Sequence, residues 1–250
     1  MTVDGAAYAA AARTVLDRVI ASQADGVAQA ADLIAASLRD GGVIQAFGSG
    51  HSEALAMEIA GRAGGLVPTN KLALRDVVVF GGEPPALLSD PLLERDPTIA
   101  HRVLELANIQ PSDVFVIASS SGINGSTVEL ARTVKQRGHQ LIAITSLDHT
   151  AKAEPRHPSG QRLSDVADVV LDNGAPFGDA VLPLPGGGAV GAVSSLTAAM
   201  LAQLITTEVV RRLLDAGETP PIYLSANVPG GDEHNRALEE RYAGRIRRTA

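Results

Sequence analysis

The sequence predicts an α/β fold in which a parallel sheet is covered on both faces by helices. Short apolar runs alternate with longer segments of helical periodicity, which is the pattern of such sheets. Two of the runs end in loops of small residues that open a helical pattern. The 250 residues, 45% of them hydrophobic, suffice for one large domain with a buried core.

The first predicted elements surround a glycine-rich turn. Helical periodicity over residues 6–39 ends at a pair of glycines, and the apolar run 43–47 predicts the first strand. The small-residue loop that follows opens a predicted helix over 53–62, and residues 66–68 predict a short strand.

Residues 70–98 form the least regular segment. Val77, Val78, Val79 and Phe80 have strand character, but the sequence Gly-Gly-Glu-Pro-Pro breaks the run immediately afterwards. Because long irregular excursions in compact domains often carry function, we interpret this one as a lid over a site.

Regular alternation returns in the second half. Helical periodicity and apolar runs predict further helices at 99–108, 127–137 and 190–214, and strands at 114–118, 140–145 and 167–171. The run 180–185 and three glycines lead into the helix at 190, and a final helix follows the turn 230–232 and extends to about residue 245. The stretch 189–206 is long and apolar, but polar residues interrupt it, so we interpret it as part of a buried helix rather than a membrane span.

The two small-residue loops are Gly48-Ser49-Gly50-His51-Ser52 and residues 119–126, Ser-Ser-Ser-Gly-Ile-Asn-Gly-Ser. A strand that turns into a helix through such residues leaves free N–H groups at the positive helix end, where an anion binds. In a parallel sheet both loops fall at the carboxyl edge. The sequence therefore predicts one pocket for an anionic, most simply phosphorylated, small molecule.

Composition and targeting signals narrow the partners and the location. The net charge of -7 argues against nucleic acid, and the basic tail Arg245–Arg248 is interpreted as the solvated end of a helix. No cysteine and no secretion signal are present, so we expect a cytoplasmic protein without a membrane partner.

Metal and nucleotide motifs are not found in the sequence. The histidines His101, His139, His149 and His157 lack metal-ligand spacing. Neither loop has the Gly-Lys-Ser/Thr of a P-loop, and Glu53 stands where a dinucleotide fingerprint needs a third glycine. We therefore expect no metal and no cofactor.

Both loops, in this order, resemble the signature loops of the sugar isomerase (SIS) domain. Glu58-Ile-Ala-Gly-Arg62 and Ser119-Ser120-Ser121-Gly122 carry the likeness, which extends from about residue 25 to 245. The late segment 225–235, Ser-Ala-Asn-Val-Pro-Gly-Gly-Asp-Glu-His-Asn, is similar to that of a phosphoheptose-isomerase-like group of single-domain SIS proteins.

The resemblance implies a three-layer α/β/α sandwich with a five-stranded parallel sheet and flavodoxin-like topology. It implies one SIS domain over residues 1–250. The helix of about 6–39 and the segment of about 220–250 would pack on that domain or on a partner subunit. Family members form homodimers or homotetramers with sites at subunit borders.

The resemblance also implies a sugar phosphate ligand. Ser119, Ser121 and the Gly122 backbone would hold the phosphate, with Ser120 beside them. Asn124 stands where the family often has Ser or Thr, and its amide is still a donor. The first loop, Gly48, Ser49, Gly50, His51 and Ser52, would contribute to substrate binding, and His51 is alternatively a structural loop residue.

Aldose–ketose isomerisation needs a base that moves a proton between adjacent carbons, and a carboxylate in a partly dry pocket is suited to this. Glu58 resembles the family's catalytic glutamate, and Glu53 is the alternative. They lie about 140° apart around a helix, so both cannot face one pocket squarely. The non-catalytic interpretations are a helix-capping Glu53 and an ion-paired Glu58.

His234 resembles a C-terminal histidine that opens the sugar ring in some SIS isomerases, and Glu233 beside it is a secondary acid–base candidate. The alternative for His234 is a capping or surface residue. Two other functions remain open, a phosphosugar sensor without catalysis and a phosphosugar lyase. Neither the sugar nor the identity of the anion follows from the sequence.

Overall fold

The computed structural model describes residues 2–248. It begins with two helices, α1 (Gly5–Ser22) and α2 (Ala24–Arg39), in place of the single helix predicted over 6–39. Gln23 interrupts the helical backbone (φ -103°, ψ 7°). Its side-chain Oε1 accepts a hydrogen bond from Asp172 N at 3.0 Å, so a long-range contact is made where the helix breaks.

Five parallel strands form the central sheet, as the sequence predicts. They are β1 (Ile44–Gly48), β2 (Thr69–Leu72), β3 (Val114–Ala118), β4 (Gln140–Thr145) and β5 (Val169–Asp172). Their spatial order is β2-β1-β3-β4-β5, which is the flavodoxin-like order. Chain order and spatial order differ at β1, which lies between β2 and β3, so the strand order reverses there.

Helices cover both faces of the sheet and complete the three layers. Along β3, Val114, Val116 and Ala118 face one core, and Phe115 and Ile117 face the other. The first core also contains residues of α1, α2, α3 (Glu53–Ile59) and α8 (Ser194–Asp215); the second contains residues of α4 (Asp76–Val79), α5 (Thr98–Glu105) and α6 (Gly125–Gln136). The remaining helices are α7 (Leu147–Lys152) and α9 (Gly231–Glu239). Within residues 2–248, no helix combines the length and apolarity needed to cross a bilayer.

Two strand predictions before β3 are wrong. The second strand starts at Thr69 rather than at 66–68. Residues 77–80 have strand character, yet Asp76–Val79 form a helical turn, because the Asp76 carboxylate accepts from Ala73 N at 3.1 Å and closes the chain locally.

The predicted helix 190–214 begins four residues late. Residues 180–192 form an antiparallel hairpin, β6 (Ala180–Pro183) and β7 (Ala189–Ala192), joined by three glycines with positive φ. Gly191 itself has φ +85° and packs against the Tyr8 ring, a conformation that excludes it from a helix. The helix therefore starts only at Ser194.

The C-terminal tail lies against the β2–β1 side of the sheet, so its interpretation as a solvated helix end is wrong. The last helix ends at Glu239, and the tail arginines have partners. Arg245 pairs with the fully buried Asp113, and Arg248 donates to the carbonyl oxygens of Val67 and Thr69.

Candidate functional site

A cavity opens at the carboxyl ends of the central strands, between the two small-residue loops. Gly48 of β1 pairs with Ala118 of β3, so the loops leave adjacent strands. None of the lining residues is Lys or Arg, so an anion in this cavity depends on N–H and O–H donors. The lining residues are His51, Ser52, Ala54, Leu55, Ala118, Ser119, Ser120, Ile144, Asn173, Ser194, Ser195 and Ala198.

Ser119 and Ser120 present different groups to this cavity. Ser119 Oγ accepts a hydrogen bond from Gly122 N at 3.1 Å, and Ser119 N donates to Ile144 O, also at 3.1 Å. The Ser120 hydroxyl is buried and has no partner among residues 2–248. Because an unpaired buried hydroxyl is costly, this one is a candidate donor to a ligand.

Gly122 allows the second loop to turn tightly. Its φ is +68°, and a Cβ there would lie only 3.0 Å from Thr145 Oγ1 and 3.1 Å from Thr150 Oγ1. Thr150 Oγ1 also donates to the carbonyl oxygen of Ser121 at 3.0 Å. The loop is therefore held in place by residues of β4 and α7.

The N-terminus of α6 is left without a cap. Asn124 precedes the helix, but its side chain bonds Glu94 and Arg156 instead of the helix N–H groups. In the part of the chain that the structure describes, the N–H groups of residues 125–127 have no partner, and neither does the buried Thr127 hydroxyl. This helix end therefore has free donors and a positive dipole end.

In the first loop, Gly48 and Gly50 have steric roles. A side chain at Gly48 would collide with the Ser52 carbonyl, and Gly50 has φ +55° with the Glu94 carboxylate against it. His51 and Ser52 line the cavity, whereas Gly48, Ser49 and Gly50 do not. The loop thus brings two of its five predicted residues to the cavity wall.

The irregular segment 81–97 packs on both loops. Glu94 Oε2 accepts from Asn124 Nδ2 at 3.0 Å, and the Glu94 carbonyl oxygen accepts from Ser126 Oγ at 2.8 Å. The segment covers the N-terminus of α6, where Arg95 O lies against Gly125. Its role as a lid stays a prediction.

Sequence reasoning missed the contribution of α8 and the chain after β5. Ser194 and Ser195 begin α8 and line the cavity, and so does Asn173, which is 2% exposed. Asp179 caps this helix, because its Oδ1 accepts from Ser194 N at 2.8 Å and its Oδ2 accepts from Ser194 Oγ at 2.7 Å. A serine pair before a long helical pattern is a recognisable N-terminal signal, and it identifies this helix start.

Neither candidate glutamate lines the cavity. Glu53 Oε1 bonds Lys71 Nζ at 3.2 Å and also bonds Arg75. Glu58 Oε1 accepts from Gln203 Nε2 of α8 at 2.6 Å and pairs with Arg62. Within one chain both carboxylates are thus ion-paired on different faces of α3, and their assignment as a base stays a prediction.

His234 lies in the first turns of α9, away from the cavity. Its Nε2 is 3.0 Å from the carbonyl oxygen of Ile222, which can only accept, so Nε2 is the donor in this hydrogen bond. Its role in ring opening and that of Glu233 stay predictions. No group of three or more metal-binding side chains occurs within residues 2–248.

A model of the SIS domain matches residues 7–146. A UPF0309 protein of Listeria monocytogenes serovar 1/2a is 40% identical to this chain, over 94% of the chain and 95% of that protein. A UPF0309 protein of Geobacillus kaustophilus is 34% identical, over 92% of the chain and 91% of that protein.

Solved structures share the fold. The phosphoheptose isomerase of Neisseria gonorrhoeae superposes with a TM-score of 0.56 at 19% identity, covering 82% of this chain and 96% of that chain. The NanR protein of Vibrio vulnificus was solved in complex with ManNAc-6P. It superposes with a TM-score of 0.50 at 13% identity, covering 95% of this chain and 67% of that chain. At these identities the likeness concerns the arrangement of helices and strands.

Proposed function

The chain belongs to the SIS domain family, and on that premise we propose that it binds a sugar phosphate and interconverts its aldose and ketose forms. The observation that carries the binding step is the unpartnered, buried Ser120 hydroxyl in a cavity lined by hydroxyl and amide groups. Those groups match the many hydroxyls of a sugar. The names of the structural neighbours, a phosphoheptose isomerase and a complex with ManNAc-6P, support the same ligand class.

In this proposal the second loop holds the phosphate. Ser119 and Ser120 line the cavity and supply hydroxyl donors, with Ser121 beside them. Gly122 N and the Asn124 amide donate to Ser119 and Glu94, so in this proposal they reach the phosphate by exchanging those partners. The free N–H groups at the start of α6 add the positive dipole end. The first loop contacts the sugar through His51 and Ser52, which line the cavity, and Ser49 stands next to them in the chain.

Glu58 then acts as the base, with Glu53 as the alternative. The carboxylate takes the proton from C2 of the aldose and returns it to C1, while a second proton passes from O2 to O1, so that the C1 carbonyl becomes a hydroxyl and the C2 hydroxyl a carbonyl. N–H and O–H donors stabilise the enediolate between the two transfers. Gln203 and Arg62 orient the Glu58 carboxylate. His234 of a neighbouring subunit assists ring opening, so the active form is a homodimer or homotetramer.

The decisive experiment follows exchange of the C2 proton with solvent. Purified protein in D2O is incubated with a panel of aldose and ketose phosphates of five to seven carbons. Proton NMR reports loss of the C2 proton signal of an aldose, or of one C1 proton signal of a ketose. We expect exchange with at least one substrate, loss of exchange in Glu58→Gln, and full activity in Glu105→Gln. Glu105 is an exposed glutamate on α5 and serves as the matched control. Exchange that survives in Glu58→Gln assigns the base elsewhere.

A second candidate function is a sensor that binds a sugar phosphate without turnover. It is favoured by the absence of Glu53, Glu58 and His234 from the cavity wall of the single chain that the structure describes. Calorimetric binding of a sugar phosphate, combined with no C2 exchange across the whole panel, identifies the sensor.

A further inference from the structure

A second and roomier cleft lies beside the end of α3, between β2, α4 and the C-terminal tail. It shares no lining residue with the hydroxyl-lined cavity. Its walls combine cationic side chains with exposed apolar ones, whereas the first cavity has no cationic lining residue.

Lys71 and Arg75 line one side of the cleft and share one carboxylate. Both bond the same oxygen, Glu53 Oε1. Within residues 2–248, this oxygen is the only hydrogen-bond partner of either side chain, so most of their N–H donors are unused. One negative charge therefore faces two positive ones on this side.

The C-terminal tail adds two more cations. Arg248 donates to neutral groups, namely three carbonyl oxygens at 2.7, 2.8 and 3.1 Å and the Tyr223 hydroxyl at 2.6 Å, and the Glu239 carboxylate is 3.6 Å away. Arg247 NH2 lies 3.5 Å from Asp76 Oδ2. Burial raises the pKa of Asp76, although the Ala73 N–H and the Arg247 charge stabilise this carboxylate. The cleft thus has more positive than negative groups in a protein of net charge -7.

The opposite wall is apolar and partly open to solvent. Phe80 is 42% exposed, and Met57 and Val79 are more than half exposed. The Arg247 guanidinium lies 4.5 Å over the Phe80 ring, a cation–π contact that fixes a positive charge beside this apolar surface.

We propose that this cleft is a second ligand site, for a small organic phosphate whose other part is flat and weakly polar, as in a nucleoside phosphate. Lys71, Arg75 and Arg247 bind the phosphate through donors that the protein leaves unused. Phe80, Met57 and Val79 contact the flat part. The inference is independent of the proposed isomerase activity, because it uses other residues.

The test uses AMP as the probe in isothermal titration calorimetry, with adenosine and inorganic phosphate as partial ligands. We expect AMP to bind about tenfold or more tightly than either partial ligand, because only AMP uses both walls. Arg75→Gln combined with Arg247→Gln lowers AMP affinity by roughly tenfold or more. Arg13→Gln, at an exposed arginine on α1, leaves it unchanged.

Two further variants separate this site from the sugar site. Phe80→Ser, at a half-exposed side chain, reduces AMP affinity towards that of inorganic phosphate. Ser120→Ala, in the other cavity, leaves AMP binding intact. Arg75→Gln alone replaces the double variant if the latter does not fold, since Arg75 is exposed.

Three outcomes overturn the proposal. These are no heat of binding with AMP, equal AMP affinity in the arginine variants, and loss of AMP binding in Ser120→Ala. The last outcome would place AMP in the hydroxyl-lined cavity. A cleft covered by a second copy of the chain gives the first outcome.

Discussion

The carboxylate of Glu94 lies against both small-residue loops and accepts a hydrogen bond from the Asn124 amide at 3.0 Å. Its other oxygen faces Gly50, where a Cβ would lie only 2.6 Å away. A negative charge thus stands beside two loops that are suited to hold an anion. The Glu94 carboxylate therefore repels an anionic ligand bound between the loops.

We predict that Glu94→Gln strengthens sugar phosphate binding. The amide keeps the size of the side chain and removes a like charge, which is worth about 1 kcal/mol near the surface, or roughly fivefold in Kd. Calorimetry with the substrate found by C2 exchange measures the change. Glu105→Gln, a charge change on an exposed part of α5, serves as the control. Weaker binding in Glu94→Gln would mean that the carboxylate contacts the sugar instead.

Ser120→Ala is predicted to separate binding from stability. Removing an unpartnered buried hydroxyl leaves the free energy of unfolding unchanged within about 0.5 kcal/mol or raises it. Removing a donor to an anion weakens sugar phosphate binding by about 1.5–3 kcal/mol. Urea unfolding and calorimetry measure the two effects. Ser89→Ala, at an exposed serine, is the control for both. A loss of stability without a loss of affinity would contradict the assignment.

Asp179 is predicted to stabilise the start of α8 in two ways. It caps the helix through Ser194 and it adopts φ +68°, which Asp tolerates better than Ala. Asp179→Gly loses only the cap, so its free energy of unfolding falls by about 1 kcal/mol. Asp179→Ala loses the cap and also places alanine in the left-handed backbone region, so its free energy of unfolding falls by about 2 kcal/mol or more. Urea midpoints at constant m-value compare the two variants, and equal losses would show that the backbone conformation is unstrained.

Tyr223 gives the fold a dependence on alkaline pH. Burial, followed by its hydrogen bond to Glu239, raises the pKa of Tyr223 from 10.0 to about 12. The folded state keeps this proton while the unfolded chain releases it. The stabilisation is therefore complete below pH 10 and is lost as the pH rises through about 12.

Ultraviolet titration of the phenolates and urea unfolding from pH 8 upward measure this effect. Tyr223→Phe should remove a late-titrating phenol from the titration curve. It should also abolish a decrease in the free energy of unfolding, on the order of 2 kcal/mol, that the wild-type protein shows as the pH rises. Burial also raises the pKa of Tyr242, so the variant should lose one of two late-titrating phenols, and an unchanged titration curve would exclude Tyr223 as a late group. The chain has three tyrosines, so the curve can be resolved.

The sheet was predictable because its strands are mostly buried on both faces. Residues 114–118 are apolar throughout and residues 141–144 form the apolar centre of the next run, and the structure has strands at the predicted bounds 114–118 and 140–145. Residues 77–80 carry the same composition but form a helical turn. There the Asp76 carboxylate captures Ala73 N, a local bond that apolar content does not reveal. Likewise, Gly191 packs against Tyr8, 183 residues earlier, and this long-range contact accompanies the β6–β7 hairpin that delays the start of α8.

The two loops of the candidate site were predictable from the sequence, whereas the residues that α8 and the chain after β5 add to the cavity were not. Ser119, Ser120, His51 and Ser52 follow strands that the sequence identifies, so strand adjacency brings them together. Ser194 and Asn173 reach the cavity through tertiary packing of α8 and β5. The partners of the two glutamates were not predictable either, because both are distant in the chain. Gln203, which bonds Glu58, is 145 residues away, and Lys71, which bonds Glu53, is 18 residues away on the next strand.

The residues that line the hydroxyl-lined cavity are far apart in the chain, the first being His51 and the last Ala198. This separation affects when the cavity can form during folding. During synthesis, the two loops can be complete while the start of α8 is still inside the ribosome. Closing so long a stretch of chain is slow compared with local helix formation. Ligand capture therefore reports on the finished molecule, and a sugar phosphate that binds only the native state would rescue late-folding variants by mass action.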